Sequence, residues 1–285
     1  MEILQVARRL QIVMNSPPGR PQAPLAGLYT YFYTMRNVML LLLASYAWSQ
    51  SPTAIVRSCT DCLVHVDGYG NQYFIDGKTL YKETGTASYM HASLEYGRPT
   101  QLIPTNTLQL ALYYDQAQVL VYLDNKLVPI REVNLNVLGR GDAYSHVGLA
   151  AQQQIWLYNS TQNRLELYDW RQELITFSSA PIWHEVRSML TNYNTARLLT
   201  PDGILQFNVY GTQLVTLPLP SSETDYTLLP GAAPSMMDGT RVWLYQGNKW
   251  SQIYSGTEPI KRAMLTGSTL YIYDSRGLTA HPFKT

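Results

Sequence analysis

The chain is poor in charge. Only 14% of its 285 residues are Asp, Glu, Lys or Arg, against roughly a quarter in ordinary soluble domains. Its 21 basic residues nearly cancel its 20 acidic ones, so there is no polybasic field to attract nucleic acid or anionic lipid. Residues 1–49 carry four of the arginines and one glutamate, which leaves the remainder close to neutral, at −2.

Cysteine is scarcer still. The two that exist, Cys59 and Cys62, share one Cys-x-x-Cys. A zinc site would need a second pair or distant histidines, and the βαβ pattern of thioredoxin-like redox chemistry does not follow. The pair reads as a local disulfide of an oxidising compartment, or as two thiols in a turn. The five histidines, His65, His91, His146, His184 and His281, are widely spread. No two have the i, i+4 spacing of a helical zinc motif, and His184-Glu185 lacks the second His of a zincin. A Gly-x-Ser-x-Gly elbow and a phosphate-cradling glycine loop are also missing. The sequence therefore predicts no catalytic, metal or cofactor signature.

After residue 49 no apolar run approaches the roughly 20 residues of a membrane-spanning helix. Before it, Met35-Arg36-Asn37 precedes Val38-Met39-Leu40-Leu41-Leu42-Leu43-Ala44, and Ala47-Trp48-Ser49 precedes Gln50. A basic start, a short apolar core and a small-x-small cleavage site describe a secretory signal peptide over residues 35–49. Residues 1–34, with Pro17-Pro18-Gly19-Arg20-Pro21, read as an overrun ahead of a true start at Met35, or as an unusually long n-region. The expected product, residues 50–285, is exported to the periplasm or cell surface and does not span the membrane.

What the chain has is tyrosine, 22 residues against 5 phenylalanines, and a recurring hairpin. Alternating apolar residues broken by Asp, Asn or Gly turns begin at Gln72, Leu110, Ile155, Ile204, Val242 and Leu270. Period-two alternation closed by such residues is hairpin chemistry. Landmarks Ile75, Tyr113, Leu157, Gln206, Leu244 and Ile272 are spaced by 38, 44, 49, 38 and 28 residues, a mean near the roughly 40–45 of a four-stranded propeller blade. Helical pattern is confined to one or two turns over His184–Leu190, which read better as a connection between blades. The sequence predicts an all-β fold, a single small β-propeller of about six blades. Thr53-Ala54-Ile55-Val56-Arg57 is expected to close it by joining the last blade, which removes two open edges.

Four stretches carry a resemblance: Val66 through Tyr73, Tyr122 through Leu127, Gln154 through Tyr158, and Asp202 through Gly211. Over roughly residues 60–215 the chain resembles an uncharacterised family of short, exported β-propeller-like proteins of Bacteroidota-type bacteria. The resemblance implies a propeller in a bacterial envelope and carries no catalytic residues. The chain departs from it at Thr107, where proline is expected, and at Asn208, where aspartate is expected.

Asp67, Asp76, Asp202 and Asp238 each precede glycine and read as turn residues. Trp156 and Trp243 read as core between blades, whereas Trp170, Trp183 and Trp250 fall outside the alternation and read as surface. Asn159-Ser160-Thr161 fits a glycosylation sequon and also a hairpin turn. The leading expectation is a non-enzymatic module binding a protein partner of the cell envelope through loops on one propeller face. The rival is a lyase or hydrolase at the channel mouth using Asp142, His146, His184 and Glu185. A third reading, glycan recognition, requires an exposed pair of aromatic rings.

Overall fold

The computed structural model describes residues 62–104, 108–139, 141–150, 153–221, 225–231, 233–267 and 269–282. Over these residues the chain forms strands and one short 3-10 segment, Leu135–Leu138. Blade 1 holds β1 Leu63–Val66, β2 Gln72–Asp76, β3 Thr79–Glu83 and β4 Ser88–Ala92. Blade 2 holds β5 Gln101–Pro104, β6 Gln109–Tyr114, β7 Val119–Asp124 and β8 Pro129–Asn134. Blade 3 holds β9 Tyr144–Leu149, β10 Gln154–Asn159, β11 Arg164–Asp169 and β12 Leu174–Ser178. Blade 4 holds β13 Ser188–Thr191, β14 Thr195–Thr200, β15 Gly203–Asn208 and β16 Gln213–Leu217. Blade 5 holds β17 Thr227–Leu228, β18 Ser235–Asp238, β19 Arg241–Gln246 and β20 Lys249–Ser255, and blade 6 holds β21 Arg262–Thr266, β22 Thr269–Asp274 and β23 Gly277–Pro282. Each sheet is an antiparallel meander in chain order.

A ring follows from what each sheet buries. Both faces of a middle strand are covered by the neighbouring blades, so such strands read as continuous apolar runs rather than alternating ones. Neighbouring residues then serve opposite cores, because successive side chains point to opposite faces. Tyr114 packs with Leu80 and Leu112 between blades 1 and 2, while Tyr113 packs with Tyr144 and Ile155 between blades 2 and 3. Leu198 joins Trp156 and Phe207 between blades 3 and 4, and Leu199 joins Ile204 and Met236 between blades 4 and 5. Met237, Val242, Leu270 and Ile272 fill the seam between blades 5 and 6.

The sixth seam closes the circle. Leu63, Val66 and Phe74 of blade 1 bury Met264 of blade 6, and the Val66 amide donates to Met264 Sδ at 3.1 Å. Six sheets sharing six cores, the last joining the first, make the ring closed among the described residues. The predicted closing strand, residues 53–57, lies outside the described residues, as do residues 1–34, the 35–49 segment and Cys59. Blade 6 has three strands among the described residues. No helix among the described residues is long and apolar enough to cross a membrane.

Two details differ from the sequence reading. The fourth and fifth predicted hairpins are third-and-fourth-strand pairs, β15–β16 and β19–β20, whereas the others pair second and third strands. The second strands end at Asp76, Tyr114, Asn159, Thr200, Asp238 and Asp274, spaced by 38, 45, 41, 38 and 36 residues, so the true repeat is more even. The predicted connection over His184–Leu190 is also shorter than expected, since Ser188–Thr191 is strand β13, with Met189 buried in the core between blades 3 and 4.

The antiparallel meander gives the ring two faces. The turn face carries the links from first to second and third to fourth strand of each blade. The crossover face carries the second-to-third links and the connections between blades. The two link types on the crossover face bond one another, as Ser160 N–H to Ala143 O at 2.8 Å and Ile260 N–H to Gly239 O at 2.7 Å show.

Candidate functional site

Three links on the turn face share one frame. In Asp67–Asn71 the Asp67 carboxylate accepts from the amides of Tyr69 at 2.9 Å and Asn71 at 3.0 Å. In Asp124–Val128 the carboxylate accepts from Lys126 and Val128, both at 2.8 Å. In Asn208–Thr212 the Asn208 amide oxygen accepts from Tyr210 at 3.0 Å and Thr212 at 2.9 Å. The fourth position of each turn is left-handed: Gly70 at φ 80°, Leu127 at φ 64° and Gly211 at φ 78°. A side-chain oxygen accepting from its own turn fixes these links locally.

The frames at Asp67 and Asn208 hold a tyrosine at the same place and point it outward. Tyr69 is 77% exposed and Tyr210 82%. Tyr193, between β13 and β14, is exposed on the same face, with Leu108 and Val128. Every exposed tyrosine among the described residues therefore lies on the turn face. Asp67 accepts further bonds from Asn71 Nδ2 at 2.8 Å and Tyr73 Oη at 3.1 Å. Burial works against its charge, but these bonds outweigh burial and hold the carboxyl below its ordinary range. That frame stays ionised and rigid at neutral pH.

The ring encloses a lumen of about 580 Å³, lined from all six blades. His65, Arg197 and Arg262 face it among apolar walls that include Ile75, Leu102 and Val147. Depth within the ring pushes the His65 imidazole down to about 4, against a weaker upward pull from Asp67. The Arg197 guanidinium, nearly buried, reaches Gln206 Oε1 and Gly231 O, each at 3.4 Å. Gln101 ties the wall of blade 2 to blade 3 by accepting from the Val147 amide at 3.0 Å.

The four residues proposed for catalysis sit outside this lumen lining. Asp142 lies on a connection between blades and accepts from Gln162 Nε2 at 3.2 Å. His146 is on β9 beside the Tyr158 ring, its Nδ1 3.0 Å from Ser145 Oγ, and burial lowers its pKa. His184 Nε2 is 2.7 Å from Asp202 Oδ2, with both side chains more than half exposed. Glu185 is exposed on the loop preceding β13. Among the described residues no hydrogen bond or ion pair joins any two of these four.

Asp202 is thus a partner of His184 as well as a turn residue. Asp238 is buried and binds Arg241 Nε at 2.9 Å and Trp243 Nε1 at 2.7 Å. Trp156 is fully buried and Trp183 is 88% exposed, as the alternation predicts. Trp250 instead sits within β20, half-buried, with its Nε1 donating to Pro218 O at 2.6 Å. Asn159 is wholly buried and accepts from the amides of Thr161 and Gln162, so the sequon is a turn. Cys62 is buried at the head of β1; its predicted partner Cys59 lies outside the described residues.

Sequence reasoning missed His65, Arg197 and Arg262, because only the ring brings blades 1, 4 and 6 to one lumen. The tyrosine frames were more legible. Asp67-Gly68-Tyr69-Gly70-Asn71 and Asn208-Val209-Tyr210-Gly211-Thr212 share a polar-x-Tyr-Gly-polar pattern.

Six antiparallel blades sharing their cores around a lumen define a six-bladed β-propeller. No protein-family model matches the chain, and no curated protein matches it in sequence. Its fold is similar to that of virginiamycin B lyase from Staphylococcus aureus, at 9% identity and a TM-score of 0.54 over 78% of this chain and 79% of that one. It is also similar to the extracellular domain of a one-component system of B. thetaiotaomicron, at 15% identity and a TM-score of 0.51, covering 81% of this chain and 33% of that one. The WD40 domain of Pan2 from Neurospora crassa matches at 10% identity and a TM-score of 0.52, over 77% of this chain and 73% of that domain. At these identities the likeness is one of fold.

Proposed function

We propose that this chain is a non-enzymatic interaction module of the bacterial envelope that binds a protein partner through its turn face. The observation that carries the reading is the gathering of Tyr69, Tyr193 and Tyr210, exposed, on one face of a rigid ring. Tyrosine offers a large amphipathic surface with few rotatable bonds, so holding it in an interface costs little entropy, and it is enriched at binding hot spots. The side-chain bonds within the Asp67 and Asn208 frames order the tyrosine backbones before any partner arrives, which lowers the cost of association.

Export is supported by the signal-peptide pattern over residues 35–49 and by the family resemblance. One structural neighbour is itself an extracellular domain. The lyase or hydrolase alternative has less behind it, since Asp142, His146, His184 and Glu185 have separate neighbours and lie outside the lumen lining.

The test is a pull-down from envelope fractions of the native host with three baits. These are the wild type, a Tyr69→Ala/Tyr210→Ala variant and a Trp183→Ala variant altered on the crossover face. A stoichiometric partner is expected with the first and third baits and is expected to be lost with the second. Retention by the double variant would refute the turn face as the binding surface. Circular dichroism is expected to show all three baits equally folded, because the replaced side chains are exposed.

A further inference from the structure

We propose that the lumen of the ring is a binding site for a small organic carboxylate with an apolar body. This inference is independent of the turn face. The lumen, at about 580 Å³, falls within the roughly 300–1,000 Å³ of small-molecule sites. Inner strands or their links from all six blades wall it, which selects a small molecule over a folded domain or a helix.

Its chemistry is one-sided. Two of its lining residues, Arg197 and Arg262, are permanently cationic, and no aspartate or glutamate is among the described lining residues. Arg197 is nearly buried and its guanidinium is oriented by Gln206 and Gly231, so its orientation is set before a ligand arrives. Arg262, at the start of β21, is exposed and stands where that strand leaves the crossover face. The planar fork of a guanidinium suits carboxylate and phosphate alike, and a low-dielectric wall strengthens its pull on an anion. Thr191 adds a hydroxyl to the lining, whereas the Thr195 hydroxyl donates to Asn192 Oδ1 at 3.1 Å.

The walls decide between anions. Val64, Ile75, Leu102, Ile103, Val147 and Met189 line the same space. An inorganic oxyanion would leave that apolar surface unused. An alkyl or aryl carboxylate uses both halves, burying its body against the walls and setting its head against a guanidinium.

The experiment titrates 4-phenylbutyrate into the purified protein by calorimetry, with 4-phenylbutyramide and inorganic sulfate as matched probes. Saturable 1:1 binding of the carboxylate is expected, with the amide at least tenfold weaker and sulfate weaker still. Arg262→Gln, an exposed change that leaves the cores intact, is expected to weaken the carboxylate at least tenfold while leaving thermal unfolding unchanged. Arg197→Lys serves as a second variant that keeps charge but loses the fork, and it is expected to weaken binding several-fold. Equal affinity for acid and amide, equal or tighter binding of sulfate, an unchanged affinity in Arg262→Gln, or no saturable binding at all would each overturn the proposal.

Discussion

Leu127 occupies the same turn position as Gly70 and Gly211, yet it is a leucine at φ 64°. A left-handed backbone costs a residue with a Cβ about 1–2 kcal/mol. The compensation is visible: the side chain is 2% exposed in the core between blades 1 and 2. Leu127→Gly relieves the strain but empties that core, where removing a buried leucine costs about 2–5 kcal/mol. A net loss of about 1–3 kcal/mol is expected in urea denaturation; no loss would mean that the side chain does not anchor the turn.

The lumen histidine sets a pH dependence whose sign can be worked out. His65 is held down to about 4 against an ordinary value of 6.5, so its neutral form is the folded one. Above about pH 6.5 the group is neutral whether folded or unfolded and contributes no slope. As pH falls from 6.5 towards 4 the unfolded chain binds a proton that the folded chain refuses, and stability declines. His91 and His146, also lowered chiefly by burial, add to the same trend. His65→Gln is expected to flatten the fall in melting temperature between pH 6.5 and 4. An identical slope in the variant would remove His65 from the account.

Among the elements, β9 of blade 3 meets β13 of blade 4 at Gly148. A Cβ there would lie 2.9 Å from Thr191 Cβ and nearer still to that side chain's outer atoms. A β-branched neighbour held within a strand has little freedom to yield. Gly148→Ala is expected to cost about 1–3 kcal/mol through overpacking, and Thr191→Gly is expected to restore most of it in a double-mutant cycle. Independent, additive losses would show that these strands do not meet as described.

This scale also shows how much the sequence discloses. Gln72–Tyr81 and Leu110–Tyr122 announced their hairpins, because middle strands buried on both faces read as unbroken apolar text. The second strands of blades 4 and 5 did not. Thr195–Thr200 and Ser235–Asp238 carry an arginine, serine or aspartate that only the ring explains, through Arg197 facing the lumen and Asp238 binding Arg241 and Trp243. The hairpin count was therefore right, although two hairpins came from the wrong strand pair. The tyrosine frames were readable because their bonds are local. The lumen was not, since its three cationic or imidazole groups are separated by more than 60 residues at each step.

For the whole molecule, both the turn face and the lumen exist only if blade 1 meets blade 6. A seam built on Leu63, Val66, Phe74 and Met264 makes the propeller one cooperative unit. An unjoined chain of sheets would instead fray from its ends. Native-state hydrogen exchange of Met264→Ala tests this directly, because truncating a buried methionine costs about 2–5 kcal/mol. Closure predicts that the most protected amides of β14, across the ring, lose as much protection free energy as those of β1 and β22. Loss confined to blades 1 and 6, with β14 unchanged, would contradict a closed ring.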